Sequence, residues 1–422
     1  MLEVSFQKVT SSETTRAFAW IRDAAPHSRR ALLAASLGWM LDSFDIMLFA
    51  FVLPYVMADL HLTKASAGLL GSFTLIAAAI GGILFGFAAD RFGRVRALIA
   101  SVCIYAVFTA CCGLATGFIS LAVFRILLGF GVGGEWATGS ALVCETWPAE
   151  HRDKALALMQ SAFAIGYGLA ALVAFVILHF FTWRIVFFVG LAPAFISFWV
   201  RRHIPEPEAW KSLTTQPQIT RASFADLFCP PLLGRTTALT LMNACCMFAW
   251  WGFNLWVPSY FSLSIARGGI GFSPRIMTAI IVVNQIGMWL GYVSFGYLAT
   301  AFGRRCVYVS FLISAALLTF LFAATRSPWI LLLLGPCLAF TATGYFSGFA
   351  AVSAETYPTR IRATGQGFTY NLGRLASALA PFAAGSLADR HGFPAAFHLQ
   401  AATFLVAAAF WLFIPNTNPT TR

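Results

Sequence analysis

The sequence predicts an all-α membrane protein in which twelve transmembrane helices form two pseudo-symmetric halves of six. Composition, the spacing of the apolar segments and an internal repeat support this prediction. The chain has 422 residues, of which 59% are apolar and only 10% are charged. A soluble domain carries about 25% charged residues. The chain is therefore built to lie in lipid.

The apolar segments fall into two groups of six, separated by a polar stretch rich in proline. About 20 apolar residues suffice to cross a bilayer. The predicted spans are 31–57, 66–89, 97–115, 119–144, 155–179, 184–200, 237–264, 275–300, 306–324, 328–352, 364–388 and 394–414. The predicted organisation is an N-terminal arm (1–30), a first half (31–200), a linker (201–236), a second half (237–414) and a tail (415–422).

The positive charges predict the orientation of the chain. Cytoplasmic loops of membrane proteins carry an excess of Lys and Arg. Twenty of the 28 Lys and Arg residues lie on the side of the two termini, six lie on the opposite side, and two lie inside spans. Both termini are therefore predicted to be cytoplasmic, in a multi-pass protein of the plasma (cell inner) membrane. The net charge of +12 reflects this topology and does not indicate a nucleic-acid partner.

The two halves repeat each other at a constant offset of 210 residues. The first copy contains Gly81, Gly86, Phe92, Gly93, Arg94, Glu145-Thr-Trp-Pro148 and Arg152, and the second contains Gly291, Gly296, Phe302, Gly303, Arg304, Glu355-Thr-Tyr-Pro358 and Arg362. Parallel repeats of this kind are related by an axis along the membrane normal, and the substrate site lies between them. We therefore expect a central site at the interface of the halves.

The fourth span carries two charges and a series of glycines. Arg125 and Glu135 lie inside it, with glycine at positions 129, 131, 133 and 134. A charge at the centre of a membrane helix costs roughly 2.5–3.5 kcal/mol on insertion scales. Such residues face a bundle interior or a water-filled path, and glycines let another backbone come close. The fourth helix is thus predicted to line a pathway.

Asp42 and Asp45 in the first span are candidates for proton binding. A separation of three residues places both carboxyl groups on one helix face. Two desolvated carboxylates on one face cannot both ionise cheaply, so at least one is expected to hold a proton near neutral pH. The alternative is a fixed structural bond from one aspartate to a helix end or an arginine.

Glu135 and Arg125 are the other candidates for proton coupling. Ten residues of helix separate them by about 15 Å, so each needs a partner elsewhere. An ion pair between Arg125 and a first-span aspartate, broken on protonation, would couple proton binding to conformational change. A purely structural role for either residue remains an alternative.

Arg374 is a candidate for binding the carboxylate of a substrate. It is the only cation inside a span of the second half, and no acidic residue lies inside a helix of that half. The guanidinium fork matches a carboxylate in geometry and charge. The alternative is a salt bridge to an acid of the first half.

The charges are not duplicated by the repeat, although the scaffold is. At the offset of 210, Glu135 corresponds to Tyr345 and Arg374 to Ala164. This asymmetry suggests that one half handles protons while the other holds the anion. The further candidates for lining the cavity are Gln160, Tyr167, Trp251, Asn254, Asn284, Gln285 and Asn371.

Several motifs resemble the major facilitator superfamily. The segment Gly86-Phe-Ala-Ala-Asp90-Arg91-Phe-Gly93-Arg94 resembles the signature of its loop between helices two and three, and Arg125 to Gly134 resembles its fourth-helix motif. Gly-Gly-Glu135-Trp, Gln160-Ser and the segment from Gly365 to Arg374 resemble the sialate/lactate:proton symporter branch. The segment Asp42-Ser-Phe-Asp45 resembles the acidic pair of the neighbouring aromatic-acid:proton symporters, with Ser43 where that pattern has glycine.

The resemblance implies a cytoplasmic gate between the two halves. Its residues would be Asp90, Arg91, Gly93, Arg94, Glu145, Arg152, Glu355 and Arg362. In the second copy Thr300 and Ala301 replace Asp90 and Arg91, so the corresponding contact should be weaker.

Taken together, the sequence predicts a monomeric secondary transporter that moves a small organic anion with protons by alternating access. No enzyme is expected, because no nucleophile–base pair stands out, and no metal or cofactor is expected besides the coupling protons. The main alternative keeps the fold and moves a neutral or polyol-like solute, or exports drugs. A sensor or channel is a more distant alternative.

Overall fold

A computed structural model describes residues 19–191, 195, 224–230, 232–358 and 361–414. Most of the predicted N-terminal arm, the end of the predicted sixth span, most of the predicted linker at 201–236 and the tail at 415–422 lie outside these ranges. Within them every regular element is helical. Ten of the described helical segments are long and apolar enough to cross a bilayer, which agrees with the predicted all-α membrane fold.

The first half contains seven described helices. They are α1 (Ala19–Arg22), α2 (Pro26–Asp59), α3 (Lys64–Phe92), α4 (Arg94–Cys112), α5 (Phe118–Thr146), α6 (Ala149–Phe180) and α7 (Trp183–Val189). The second half contains eight. They are α8 (Leu232–Asn254), α9 (Val257–Ser262), α10 (Pro274–Phe302), α11 (Arg304–Ala324), α12 (Pro328–Thr356), α13 (Arg362–Ser377), α14 (Ala380–His391) and α15 (Phe393–Phe410).

Glycines bring the same pair of helices together in each half. A Cβ on Gly81 of α3 would overlap the carbonyl oxygen of Phe130 in α5, and one on Gly291 of α10 would overlap that of Phe340 in α12. Both pairs follow the offset of 210 residues. The turns repeat as well, because Gly93 and Gly303 both adopt a positive φ, of 110° and 84°. The sequence repeat therefore corresponds to repeated backbone contacts.

Two of the predicted spans are interrupted. The seventh breaks between α8 and α9 at Leu255–Trp256, and the eleventh between α13 and α14 at Ala378–Leu379. Pro258 and Pro381 follow the breaks. A proline lacks the N–H that would continue the helical hydrogen bonds, and its ring displaces the carbonyl four residues earlier. Trp256 donates its indole N–H to the carbonyl of Pro381 at 2.9 Å, so the two breaks are tied together.

The helix ends define two faces of the bundle. We call the face with the turns at Gly93 and Gly303 the arginine-rich face, and the other, where α2 ends and α3 begins, the opposite face. A cavity of about 260 Å³ lies between the halves towards the arginine-rich face, with Lys154, Leu158, Gly296 and Arg304 among its lining residues. At the opposite face α3 packs against α14.

The glycine contacts predict a selective loss of stability. In Gly133→Ala the new Cβ would overlap the carbonyl oxygen of Ala78, where only backbone atoms could yield. Overpacking costs typically about 1–3 kcal/mol, so the unfolding temperature in detergent should fall. Gly296→Ala is the control, because no atom lies within 4 Å of its Cβ position, and it should be neutral or stabilising. An unchanged unfolding temperature in Gly133→Ala would contradict the close packing of α3 and α5.

Candidate functional site

An aromatic chamber lies between the two halves. Its lining residues are Trp39, Gln160, Phe163, Met247, Trp250, Trp251, Tyr292, Phe346, Tyr370 and Arg374. The space within the chamber is about 40 Å³, against about 260 Å³ for the cavity at the arginine-rich face. The chamber is therefore narrow, and its walls must move apart to admit a larger organic molecule.

Trp250 is the centre of the aromatic packing in the chamber. Its ring lies 5.3 Å from Phe163, 4.8 Å from Trp251 and 6.3 Å from Phe346, each time edge to face. Trp39 extends the cluster through Phe163 at 5.4 Å. Aromatic pairs at these separations contribute about 0.5–1.5 kcal/mol beyond their burial. The cluster spans both halves, so it both closes the chamber and joins the halves.

Arg374 is the charged group of the chamber. It lies in the last turn of α13 and is 4% exposed. A helix C-terminus carries partial negative charge, which favours a cation in this turn. Among the described residues, no side chain or carbonyl forms a hydrogen bond or ion pair with its guanidinium; only its backbone carbonyl is bonded, by Ser377 at 2.7 Å. The local helix end therefore only partly compensates a buried charge.

Arg125 and Arg374 line a second, smaller void of about 20 Å³. The two arginines come from opposite halves, and Ile46, Trp251 and Pro381 are among the other residues around this space. Two buried cations facing one void create a strongly positive potential, because charges interact more strongly in a low dielectric than in water. The arrangement favours an anion between the halves.

Arg125 rests on the first transmembrane helix. Its guanidinium carbon lies 3.9 Å from the ring centroid of Phe49, one turn after Asp45. Its Nε and Nη1 are buried and have no hydrogen-bond partner among the described residues. Arg125 and Asp45 interact electrostatically, but no N–O distance within 4.0 Å joins them. The structure thus brings Arg125 to the predicted helix without forming the predicted ion pair.

The three candidate proton sites are buried in the first half. Asp42 is 0%, Asp45 1% and Glu135 1% exposed. Asp45 points into the first half: its Oδ1 would lie 2.9 Å from a Cβ placed on Gly190. Neither of its oxygens has a hydrogen-bond partner among the described residues. All three acids therefore lie inside the first half, away from its exposed surface.

Four of the predicted polar residues lie together in a separate cleft. Tyr167, Asn254, Asn284 and Gln285 line a space of about 30 Å³. Tyr167 donates to the carbonyl of Asn254 at 3.3 Å, and the amides of Asn254 and Gln285 donate to carbonyls one turn earlier in their own helices. The buried carbonyl oxygens of Asn284 and Gln285 have no hydrogen-bond partner among the described residues. This cleft therefore offers two side-chain amide oxygens as hydrogen-bond acceptors.

The other predicted site residues divide between two places. Gln160 and Trp251 line the aromatic chamber. Asn371 lies elsewhere: its amide donates to the carbonyl of Gly367 at 2.9 Å, and its oxygen faces Gly82 of α3.

Three residues of the predicted cytoplasmic gate are described in full. Gly93 joins α3 to α4, Arg91 lies against the ring of Phe92 at 5.7 Å, and Arg152 donates to the carbonyl of Trp147 at 3.5 Å. The side chains of Asp90, Arg94, Glu145, Glu355 and Arg362 lie outside the described part of the structure.

Sequence reasoning missed several aromatic residues of the chamber. Trp39 lies three residues before Asp42, Phe163 three after Gln160, and Tyr370 four before Arg374. Residues three or four apart share a helix face. Each of these aromatic residues lies one helical turn from a polar candidate, so a search at that spacing would have found them.

The fold and the site together define a membrane transporter. Two repeated helical halves enclose a central chamber, and buried charges line the interface between them. Comparison with known families gives the particular class. The chain matches the Major Facilitator Superfamily over residues 35–269 and 261–422, and it belongs to this family of twelve-helix transporters; it is not an enzyme.

Similar proteins support this assignment along nearly the whole chain. A sialic acid transporter of Escherichia coli is 31% identical over 400 residues, covering 93% of this chain and 94% of that protein. A cis,cis-muconate transport protein of Acinetobacter baylyi is 31% identical over 382 residues, covering 89% and 91%. The solved structure of the E. coli xylose transporter, in a partially occluded inward-open conformation, shares the fold with a TM-score of 0.74 at 20% identity, covering 93% of this chain and 99% of that one.

Because Arg125 packs on the ring of Phe49, we expect the loss of this ring to lower the stability of the protein more than the loss of another buried ring in α2. Phe49→Leu removes the ring face under the guanidinium, and a desolvated cation–π contact is worth about 2 kcal/mol. Phe44→Leu is the control, since Phe44 is also buried in α2, at 5% exposure. Chemical unfolding in detergent should show a larger loss for Phe49→Leu. Equal losses in the two variants would show that Arg125 is held in some other way.

Proposed function

We propose that this protein is a proton-coupled symporter of a small organic anion, working by alternating access. The observation that carries the proposal is Arg374. Its guanidinium is almost fully buried in the aromatic chamber, and it lacks an anionic partner among the described residues. Burying a charge without a partner costs several kcal/mol. A substrate carboxylate would supply the missing partner each time it binds.

The surroundings of Arg374 suggest the shape of the anion. A guanidinium binds a carboxylate through two parallel hydrogen bonds, while Trp250, Trp251 and Phe163 offer ring faces and edges to the body of the molecule. A flat or unsaturated body would pack well against them. The substrates named for the relatives, sialic acid and cis,cis-muconate, are organic acids of different shape, so both belong among the first compounds to test.

The first half is proposed to carry the proton. Asp45 is buried close to Arg125, and Arg125 shares a void with Arg374. When Asp45 is ionised, it stabilises Arg125. When it is protonated, the two arginines face each other with less compensation, and an anion at Arg374 becomes more favourable. Asp42 and Glu135, equally buried, are the other acids available for this role.

Alternating access is proposed to move the site between the two faces. In this structure the halves are separated at the arginine-rich face by the 260 Å³ cavity and packed at the opposite face. The excess of Lys and Arg supports a cytoplasmic position for the arginine-rich face, with both termini on that side of the plasma membrane. The transporter would work as a monomer, with protons as the coupling ion and no other cofactor.

Substitution of Arg374 should abolish transport of the anion. Uptake of labelled lactate, benzoate, sialate and cis,cis-muconate is measured in proteoliposomes, with the pH difference and the membrane potential set independently. We expect acid-stimulated accumulation of at least one acid, reduced at least 100-fold in Arg374→Ala. Arg374→Lys should retain some transport, since it keeps the charge but loses the two parallel hydrogen bonds.

The control for this experiment is Arg267→Ala, which removes an exposed arginine that does not line the chamber and should leave uptake unchanged. Accumulation that survives Arg374→Ala, or that ignores the pH difference, would contradict the proposal. Uptake of a neutral sugar such as xylose in place of the acids would support the alternative solute class.

Substitution of Asp45 should separate exchange from accumulation. Asp45→Asn keeps the shape of the side chain but cannot release a proton, so labelled acid should still exchange for unlabelled acid across the membrane. Accumulation driven by a pH difference, about tenfold per pH unit for one proton, should be lost. Intact pH-driven accumulation in this variant would assign the proton to Asp42 or Glu135 instead.

A further inference from the structure

We propose that Asp389 is the outer gating residue of the transporter, and that it holds the opposite face shut by capping the N-terminus of α3 in the other half. The carboxylate of Asp389 accepts from the backbone N–H of Ala65 at 2.8 Å and from that of Lys64 at 3.3 Å. Both donors belong to the first half and the acceptor to the second. No role was predicted for Asp389 from the sequence.

The hydrogen bonds at the start of α3 show what this carboxylate provides. The first backbone N–H groups of a helix have no partner within the helix. The N-cap residue Thr63 accepts from the N–H of Ser66 at 3.1 Å, and thereby satisfies one of them. The N–H groups of Lys64 and Ala65 are satisfied by Asp389. The cap of α3 is therefore complete only while the second half is in place.

The position of Asp389 in its own helix supports this role. Asp389 lies in the last turn of α14, where the partial negative charge of the helix end disfavours an acid. The neighbouring residues Arg390 and His391 are basic, as expected for such a turn. An acid is unfavourable for α14 but favourable for the N-terminus of α3, which carries partial positive charge.

Lys64 makes the reciprocal contact. Its ammonium group donates to the carbonyl of Ala388 at 3.2 Å, near the C-terminus of α14, and lies 3.6 Å from Asp389. The N-terminus of α3 thus receives a negative group from the second half, and the C-terminus of α14 receives a positive group from the first half. Within the described ranges, this is the ion pair that joins the two halves.

Close backbone packing beneath the contact holds α3 and α14 together at this face. A Cβ on Gly68 of α3 would overlap the carbonyl of Pro381, and one on Gly385 of α14 would overlap the carbonyl of Lys64. Pro381 in turn accepts the hydrogen bond from Trp256 described above. Opening this face must separate α3 from α14. The two N–H groups would then lose their carboxylate to water, so the contact stabilises the closed state.

The gate can be tested without any substrate, so the result does not depend on which solute is carried. Thr74 lines the void below the contact and is changed to Cys in a variant whose nine native cysteines are replaced by Ser. A membrane-impermeant methanethiosulfonate reagent is applied to the outside of intact cells, and the rate of labelling is measured. Asp389→Ala should label about 2- to 30-fold faster, the range expected from the loss of a helix N-cap.

Further variants distinguish capping from simple charge pairing. Lys64→Ala should label more slowly than Asp389→Ala, because the cap remains. In the charge exchange, Lys64→Asp with Asp389→Lys, labelling should be as fast as in Asp389→Ala, because a lysine cannot accept from backbone N–H groups. Asp389→Glu should label more slowly than Asp389→Ala, and it also controls for folding. Slow labelling in the charge exchange, or parental labelling in Asp389→Ala, would overturn the proposal.

Asp59→Ala provides the matched control. Asp59 accepts from Arg184 at 2.8 Å at the same face, but both residues belong to the first half. This variant should label at the parental rate. Labelling as fast as in Asp389→Ala would mean that loss of any acid at this face opens the path, which would also overturn the proposal.

Discussion

Two buried guanidinium groups at the interface of the halves impose an electrostatic cost that the rest of the protein must compensate. Arg125 and Arg374 face one small void, and neither has an ion pair within 4.0 Å among the described residues. A guanidinium cannot release its proton at physiological pH, so the protein cannot relieve this cost by titrating it. The Phe49 ring and the helix end at Arg374 compensate this cost only in part. In the proposed symport the rest comes from a carboxylate that gains or loses a proton and from an anion that enters and leaves.

The repeated scaffold and the unrepeated charges serve different purposes. Glycines such as Gly81 and Gly291 make equivalent backbone contacts in both halves, which lets each half move as one body. The acids Asp42, Asp45 and Glu135 occur only in the first half, and Arg374 has no counterpart at the 210 offset. In the proposed mechanism, symmetry of the scaffold permits two equivalent openings, while asymmetry of the charges allows the proton and the anion to be held in separate halves.

Much of the fold could be predicted from the sequence, because bilayer thickness and the 210-residue offset leave few arrangements open. The burial of Asp45, Arg125 and Arg374 also followed, since charges inside spans avoid lipid. The contact of Asp389 with α3 could not be predicted, because it depends on how the halves pack. The helix break before Pro381 was missed because the apolar pattern of 364–388 continues across it. The aromatic chamber depends on helix rotations that periodicity does not fix.

The central claim, that anion binding at Arg374 is linked to protonation in the first half, can be measured directly. Purified protein in weakly buffered detergent solution, with a pH-indicator dye, is mixed with the organic acid anion that the uptake assays identify. Binding and protonation that favour each other must do so reciprocally. Protons should be taken up from solution as the anion binds, most strongly at a pH between the pKa of the coupling acid without the anion and its higher pKa with the anion bound. Binding with no proton uptake at any pH would contradict this claim.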